Sequence, residues 1–480
     1  MNFLRWFALL SCLLFLAASG DAGATVRKKK DAHPAQKSVH QKKTPPKKKG
    51  KQKHAAPARR APAPARPHKT PPSRPVIEIP QSLVDPDELS PVAIEMAPGT
   101  LAPFFRDLSA LDPAREGGAA SRVVRVLHFG DSHVAADYWS GEIRRLLQQR
   151  FGDAGVGYVM PGRPWKYFRH ANAKSLDGEG WKTVGLQEPP PDGVLGLSGT
   201  ALIPGGSGPA TVQSPGRYFE VSVAAESDPA DVRLFVDGAP FKDTTTKTRW
   251  INSGGRDVAL LSIANKEPLD DSPHKLSVRL PAGNGYRLLG TEFTNGRSGV
   301  VLDTLGLNGG RVTALEKWSP RMRRHLLMQA KPSLLIVSYG TNEIGAKKFT
   351  FEGFRADCVR VLRALREDAG GAPVLVTGPI DRAERKDGEW VPMTTAERPV
   401  IRALREAAAE TGCAFWDAQA AIGGEGAIFS WMRAGLAQPD GVHLTQAGYE
   451  RQGRMLFDRL MAAYEAEGGT IPPGVDNGTR

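Results

Sequence analysis

Cysteine is scarce in this chain: three in 480 residues. Cys12 falls in an apolar N-terminal stretch, Cys358 lies in a helical pattern, and Cys413 opens the strand-like run to Trp416. So few cysteines exclude a disulfide scaffold, and no Cys or His pair stands at zinc-site spacing. Two buried free thiols are the expectation for Cys358 and Cys413. Long apolar runs are also missing. After Trp6 to Ala18, itself too short for a comfortable membrane span, no segment approaches twenty apolar residues. Negative charge is nearly absent from residues 26–75, where 17 Lys and Arg face Asp31 alone.

What stands at the N-terminus is a short basic region at Arg5, the apolar stretch, and small residues at Ala22-Gly23-Ala24. Together they read as a secretory signal peptide over residues 1–24, so the chain is expected to be exported. Residues 25–75 follow as a Lys- and Pro-rich tether. The net +13 of the chain resolves into +16 on residues 26–75 and −3 on everything else. With ten prolines and few large apolar residues there, burial cannot offset ordering entropy, and an extended disordered segment is expected. Its charge suits anionic cell-envelope polymers, or serves only a solvated spacer. No nucleic acid partner is expected for an exported chain.

Beyond the tether, residues 76–121 form a Pro-interrupted lead-in. A strand over Arg122 to Phe129 and a helix over Ala136 to Phe151 then open an α/β pattern spanning residues 122–164. Residues 165–300 differ: short β-prone runs at 210–212, 218–223, 232–236, 258–263 and 275–280 are separated by Gly, Pro, Asn and Asp clusters. These predict an inserted all-β sandwich, with Asp237-Gly238 as a hairpin turn. Strand and helix alternate again within residues 301–466, before a tail at 467–480. Alternation of this kind implies a largely parallel sheet covered on both faces, with function at the carboxyl ends of its strands.

Those ends carry the chemistry. Ser132, in Gly130-Asp131-Ser132-His133, sits between the first strand and the first helix. Asp440 and His443 lie three positions apart in Asp440-Gly441-Val442-His443. Asn308-Gly309-Gly310 and Gly340-Thr341-Asn342-Glu343 supply backbone and amide donors suited to an oxyanion. A nucleophile, a base, an orienting acid and an oxyanion hole make an acyl-transfer site. The Gly-x-Ser-x-Gly elbow of ordinary α/β-hydrolases is absent, since position 134 is Val. Each element also has a plainer reading: Ser132 as a helix N-cap, His443 as a loop histidine, Asn342 and Gly309 as turn residues. Asp131 reads as a structural residue, and no role is assigned to His133 or Glu343. Tyr138, Trp139, Trp165 and Trp318 are either core residues or platforms for sugar rings.

In order and spacing these blocks resemble the SGNH, or GDSL-type, hydrolase superfamily. The runs Phe151 to Tyr158, Ser338 to Glu343, Asp440 to His443 and Ala447-Gly448-Tyr449 resemble its bacterial peptidoglycan O-acetylesterases. The resemblance implies a three-layer, flavodoxin-like parallel-sheet domain interrupted by a carbohydrate-binding-module-like β-sandwich. It implies Ser132 as nucleophile, His443 as base and Asp440 as its partner. The oxyanion would meet the Ser132 and Gly309 N–H groups and the Asn342 side chain. Neither metal nor organic cofactor is required. The implied activity is an exported serine esterase, in the periplasm or cell envelope, that deacetylates peptidoglycan. An O-acetyltransferase, a deacetylase of another acetylated polysaccharide, and a non-catalytic wall-binding protein are the alternatives.

Overall fold

The computed structural model describes residues 78–111, 122–166, 168–176, 178, 180–206, 208–226, 231–283 and 285–468. The expected signal peptide, the tether and residues 469–480 of the tail lie outside the described residues. Five strands form a wholly parallel sheet in the order Gly299–Gly306, Val123–Gly130, Leu334–Ser338, Val374–Thr377, Ala414–Trp416. That order, with the first strand second from one edge, is the flavodoxin-like doubly wound arrangement. Side chains alternate along each strand. Val124 and Val126 join one core with the helices Trp139–Phe151 and Gln446–Ala466; Leu127 and Phe129 join another with Phe351–Asp368 and Thr394–Glu410. Three layers result, because strands buried on both faces need helices on each.

The strand Gly299–Gly306 pairs with the first strand over all eight of its residues, from Val123↔Gly299 to Gly130↔Gly306. Its flanking glycines and the polar Asp303 and Thr304 hide it from pattern reading, which resumes regular alternation only at Leu334. The expected first helix also begins later, at Trp139. A four-residue helix, Ser132–Ala135, comes first, and Asp137 turns the chain at φ 52°. Its carboxylate accepts from Arg144, Thr304 and the Ala171 N–H, bonds unavailable in a continuous helix.

Between the first two central strands in sequence lies an all-β region of two antiparallel sheets. The larger contains Gly157–Val159, Lys182–Gly185, Thr200–Ile203, Tyr218–Ala225, Thr244–Ser253, Arg256–Asn265 and Tyr286–Thr294. The smaller contains Lys174–Leu176, Ala210–Ser214, Arg233–Val236, Ala239–Phe241 and His274–Arg279. Val221, Val223 and Leu261 of one sheet share a core with Val212, Leu276 and Val278 of the other. Asp237 and Gly238, at φ 51° and 86°, make the expected two-residue hairpin turn. Thr244–Ser253 escaped the pattern because it is an edge strand, exposed at six consecutive positions and rich in Thr, Lys and Arg. The lead-in runs along the other edge of the central sheet, where Glu95 exchanges backbone hydrogen bonds with Phe415. Cys358 and Cys413 are buried free thiols.

Candidate active site

Two glycines prepare the seat for Ser132. Gly130 and Gly306 are paired at the ends of adjacent strands. A Cβ on Gly130 would lie 2.4 Å from Val134 Cγ2, and one on Gly306 would lie 2.2 Å from the Ala135 nitrogen. Any side chain there would push the Ser132–Ala135 turn off the sheet. Asp131 caps that turn by accepting from the His133 N–H at 3.0 Å. Ser132 therefore projects at the carboxyl end of the sheet.

The loop before the last helix meets it. Ser132 Oγ lies 2.9 Å from His443 Nε2, and His443 Nδ1 lies 2.8 Å from Asp440 Oδ2. The other Asp440 oxygen accepts from the Val442 and His443 N–H groups, each at 2.9 Å. Burial alone would raise the Asp440 carboxyl. The hydrogen bond from the His443 ring, the two N–H bonds and the nearby imidazole charge outweigh it, holding the group well below the usual carboxylate range. The loop rests on the hairpin Ala383–Lys386 and Glu389–Pro392: Ala383 N–H donates to Gly441 O at 2.8 Å, and the Trp390 ring lies against Gly441.

His133 stacks on His443, with ring centroids 5.2 Å apart, and its Nδ1 lies 3.0 Å from the Tyr449 hydroxyl. Burial, then the charges of His443 and Arg382, lower its pKa to about 3. It therefore stays neutral beside the imidazole that would gain a proton. Burial lifts Asp131 to about 6, against the His133 N–H, the Thr341 hydroxyl and the His443 and Arg382 charges. Glu343 is lifted to about 7, chiefly by burial, and accepts from the Val312 N–H at 3.0 Å.

The expected oxyanion donors lie on loops after the first three strands of the sheet's spatial order. Leu307 O accepts from the Gly310 N–H at 2.9 Å, closing a turn in which Gly309 has φ 69°, a conformation that favours glycine. Asn342 Nδ2 donates to Gly310 O at 2.8 Å, which leaves its second N–H for a ligand. Among the described residues, the Ser132 and Gly309 backbone N–H groups have no hydrogen-bond acceptor. The structure thus brings together Ser132, His443 and Asp440 and sets Gly309 and Asn342 side by side on neighbouring loops.

Three residues here were not legible in sequence. Arg382 donates to Thr341 O at 2.8 Å and braces the Asn342 turn; Thr341 bonds Asp131; Gln187 reaches the Gly309 loop from the β region. Arg382 and Gln187 belong to no local motif, and Thr341, although it lies within Gly340-Thr341-Asn342-Glu343, acts on a residue of a distant loop, so none of the three roles shows in local spacing. Of the aromatic candidates, Trp139 and Trp318 are core residues, 2% and 3% exposed. Trp165 packs on Phe168, and half-buried Tyr138 has the Arg169 guanidinium 4.0 Å from its ring and stacks with Tyr449.

Residues 277–451 match the GDSL-like lipase/acylhydrolase family model. No curated protein matches the sequence. A solved peptidoglycan O-acetylesterase is 23% identical, aligning 78% of this chain with 99% of its own at a TM-score of 0.62. A GDSL-like lipase from Bacteroides thetaiotaomicron aligns over 35% of this chain and 76% of its own, at 16% identity and a TM-score of 0.25. A family two carbohydrate esterase from Cellvibrio japonicus aligns over 61% and 99%, at 11% identity and a TM-score of 0.25. The shared fold and the family-model match over residues 277–451 support a carboxylic ester hydrolase that resembles the GDSL-like lipases and acylhydrolases. Among solved proteins it resembles a peptidoglycan O-acetylesterase.

Proposed function

We propose that this chain is an exported serine esterase that removes O-acetyl groups from peptidoglycan through an acetyl-serine intermediate. The observation that carries the reading is the continuous chain Ser132–His443–Asp440 on an open rim, where the His443 and Asp440 side chains are 38% and 49% exposed. An open rim suits a two-carbon acyl group carried on a polymer. His443 Nε2 takes the Ser132 proton as Oγ attacks the acetyl carbonyl, and Asp440 holds the imidazole tautomer and stabilises the imidazolium. The Ser132 and Gly309 N–H groups and the Asn342 amide receive the oxyanion. The imidazolium returns its proton to the departing sugar oxygen. Water, deprotonated by His443, then attacks the acetyl-serine; acetate leaves and Ser132 regains its proton.

The N-terminal signal would deliver the enzyme to the periplasm or cell envelope, and the basic tether would hold it near anionic envelope polymers. Among the described residues no helix is long and apolar enough to cross a membrane.

Acetate release from purified O-acetylated peptidoglycan tests the proposal. Wild-type protein is expected to release acetate, and Ser132→Ala protein none. Turnover of a small acetyl ester without release from peptidoglycan would move the substrate to another acetylated polysaccharide. Transfer of acetyl to a chitooligosaccharide acceptor, in place of free acetate, would make the protein a transferase. Inactivity on every ester would leave a wall-binding protein.

A further inference from the structure

One side chain of the inserted β region, that of Gln187, bonds the backbone of the Gly309 loop. Lys182–Gly185 is the strand at the other edge of the larger antiparallel sheet from Thr244–Ser253. The next residue, Leu186, is fully buried, its N–H donating to Gly199 O at 2.9 Å. Gly199 packs against both Leu186 and Leu307, the residue that leads into Asn308-Gly309-Gly310. Gln187 follows, exposed, and its Nε2 donates to the carbonyl oxygen of Asn308. Lys317 Nζ donates to Gln187 O at 3.3 Å, tying the segment to the hydrolase side from the other direction.

That bond acts on the peptide unit whose nitrogen is the Gly309 N–H. A trans peptide is planar, with C=O and N–H pointing in opposite directions. Fixing the Asn308 carbonyl toward Gln187 therefore fixes the Gly309 N–H away from it. The turn Leu307 to Gly310 has a negative φ at Asn308 and φ 69° at Gly309, the pattern of a type II turn. Types I and II differ by a flip of this central peptide, and glycine at the third position tolerates both. The flipped form would turn the Gly309 N–H over and present a carbonyl oxygen in its place. Asn342 holds the carbonyl two residues on, that of Gly310, and does not restrain the Asn308–Gly309 peptide.

We infer that Gln187 is a positioning residue for the oxyanion hole, through which the inserted β region locks the Asn308–Gly309 peptide with its N–H toward the substrate. This rests on the proposed role of Ser132 and Gly309 and deepens it, because it makes the insertion part of the catalytic machinery whatever glycan it contacts.

The test uses full-length protein and 4-nitrophenyl acetate, an ester too small to reach sugar subsites. Gln187→Ala and Gln187→Met, the second near-isosteric but without a donor, are expected to lower kcat by about 10- to 100-fold with KM changed less than about twofold. That is below the ~10²–10³ of deleting an oxyanion donor outright, because the peptide still samples the productive orientation. Gln187→Lys, which keeps an N–H donor, should recover kcat to within about fivefold of wild type, where a packing role would not be rescued. Glu188→Ala, on the exposed neighbouring position, should leave kcat unchanged. Unaltered kcat in Gln187→Met, or an effect confined to KM, would overturn the inference while inactive Ser132→Ala protein kept the esterase reading intact. Activity surviving in Ser132→Ala would sink both.

Discussion

Asp440 spends each oxygen on a different task. One accepts the His443 ring N–H, and the other accepts two backbone N–H groups of its own loop. Replacing the first oxygen with an amide would present N–H to N–H or force the other imidazole tautomer, removing the lone pair that faces Ser132. Asp440→Asn is therefore expected to fold normally and lose about 10³–10⁴ in kcat on 4-nitrophenyl acetate, measured beside an unchanged thermal transition. A loss under about tenfold would show that Asp440 only shapes the loop. Asp440 and His443 were visible in sequence because their partnership is local, three positions apart. Arg382 and Thr341 were not, because their bonds join the ends of different strands.

At the scale of elements, the catalytic loops are braced by a buried carboxyl pair that the proposed chemistry does not use. Glu397, on the helix Thr394–Glu410, is fully buried against Asp381, on the loop after the strand Val374–Thr377. Glu397 accepts from the Arg382 N–H at 2.8 Å and from the Gln419 amide, while Asp381 accepts from the Ile428 N–H at 2.9 Å. Burial, then the negative charge of Asp381, pushes Glu397 up to about 9, so it holds a proton at neutral pH. A carboxyl protonated when folded and ionised when unfolded makes stability fall as pH rises. The loss begins above the ordinary glutamate range and continues to about pH 9, at up to about 1.4 kcal/mol per pH unit for one proton. Glu397→Gln should flatten this slope, so that its melting temperature falls less steeply than that of wild type as pH rises from neutral to about 9. Parallel Tm–pH profiles for the two proteins would refute the assignment.

For the whole molecule, Arg125 joins the two architectures. It lies on the first central strand and pairs with Asp303 at 2.7 Å on the neighbouring strand and with Glu292 on the β region. Asp303 also accepts from the Tyr158 N–H at 2.7 Å, where the chain enters the larger antiparallel sheet. Arg125→Ala leaves the fully buried Asp303 without its cation and should cost about 3–5 kcal/mol in denaturant unfolding. A cost under about 1 kcal/mol would mean that water or rearrangement replaces the guanidinium.

Much of this protein was legible before any tertiary structure. Strand–helix alternation declares a parallel sheet because period 2 and period 3.6 hydrophobicity each bury one kind of face. The ordered blocks around Ser132, Gly309, Asn342 and Asp440–His443 declare a hydrolase because each is a short turn with its own chemistry. Beyond local pattern lay the strand Gly299–Gly306, whose place comes from pairing with Val123–Gly130 rather than from its own apolar rhythm. The exposed strand Thr244–Ser253 is likewise defined by its partner. Only tertiary structure set Gln187 against the Asn308 carbonyl, Arg382 against Thr341 and His133 against His443. Hydrogen bonds and ring contacts between residues far apart in sequence leave no periodic trace, and these are the bonds that aim the catalytic groups.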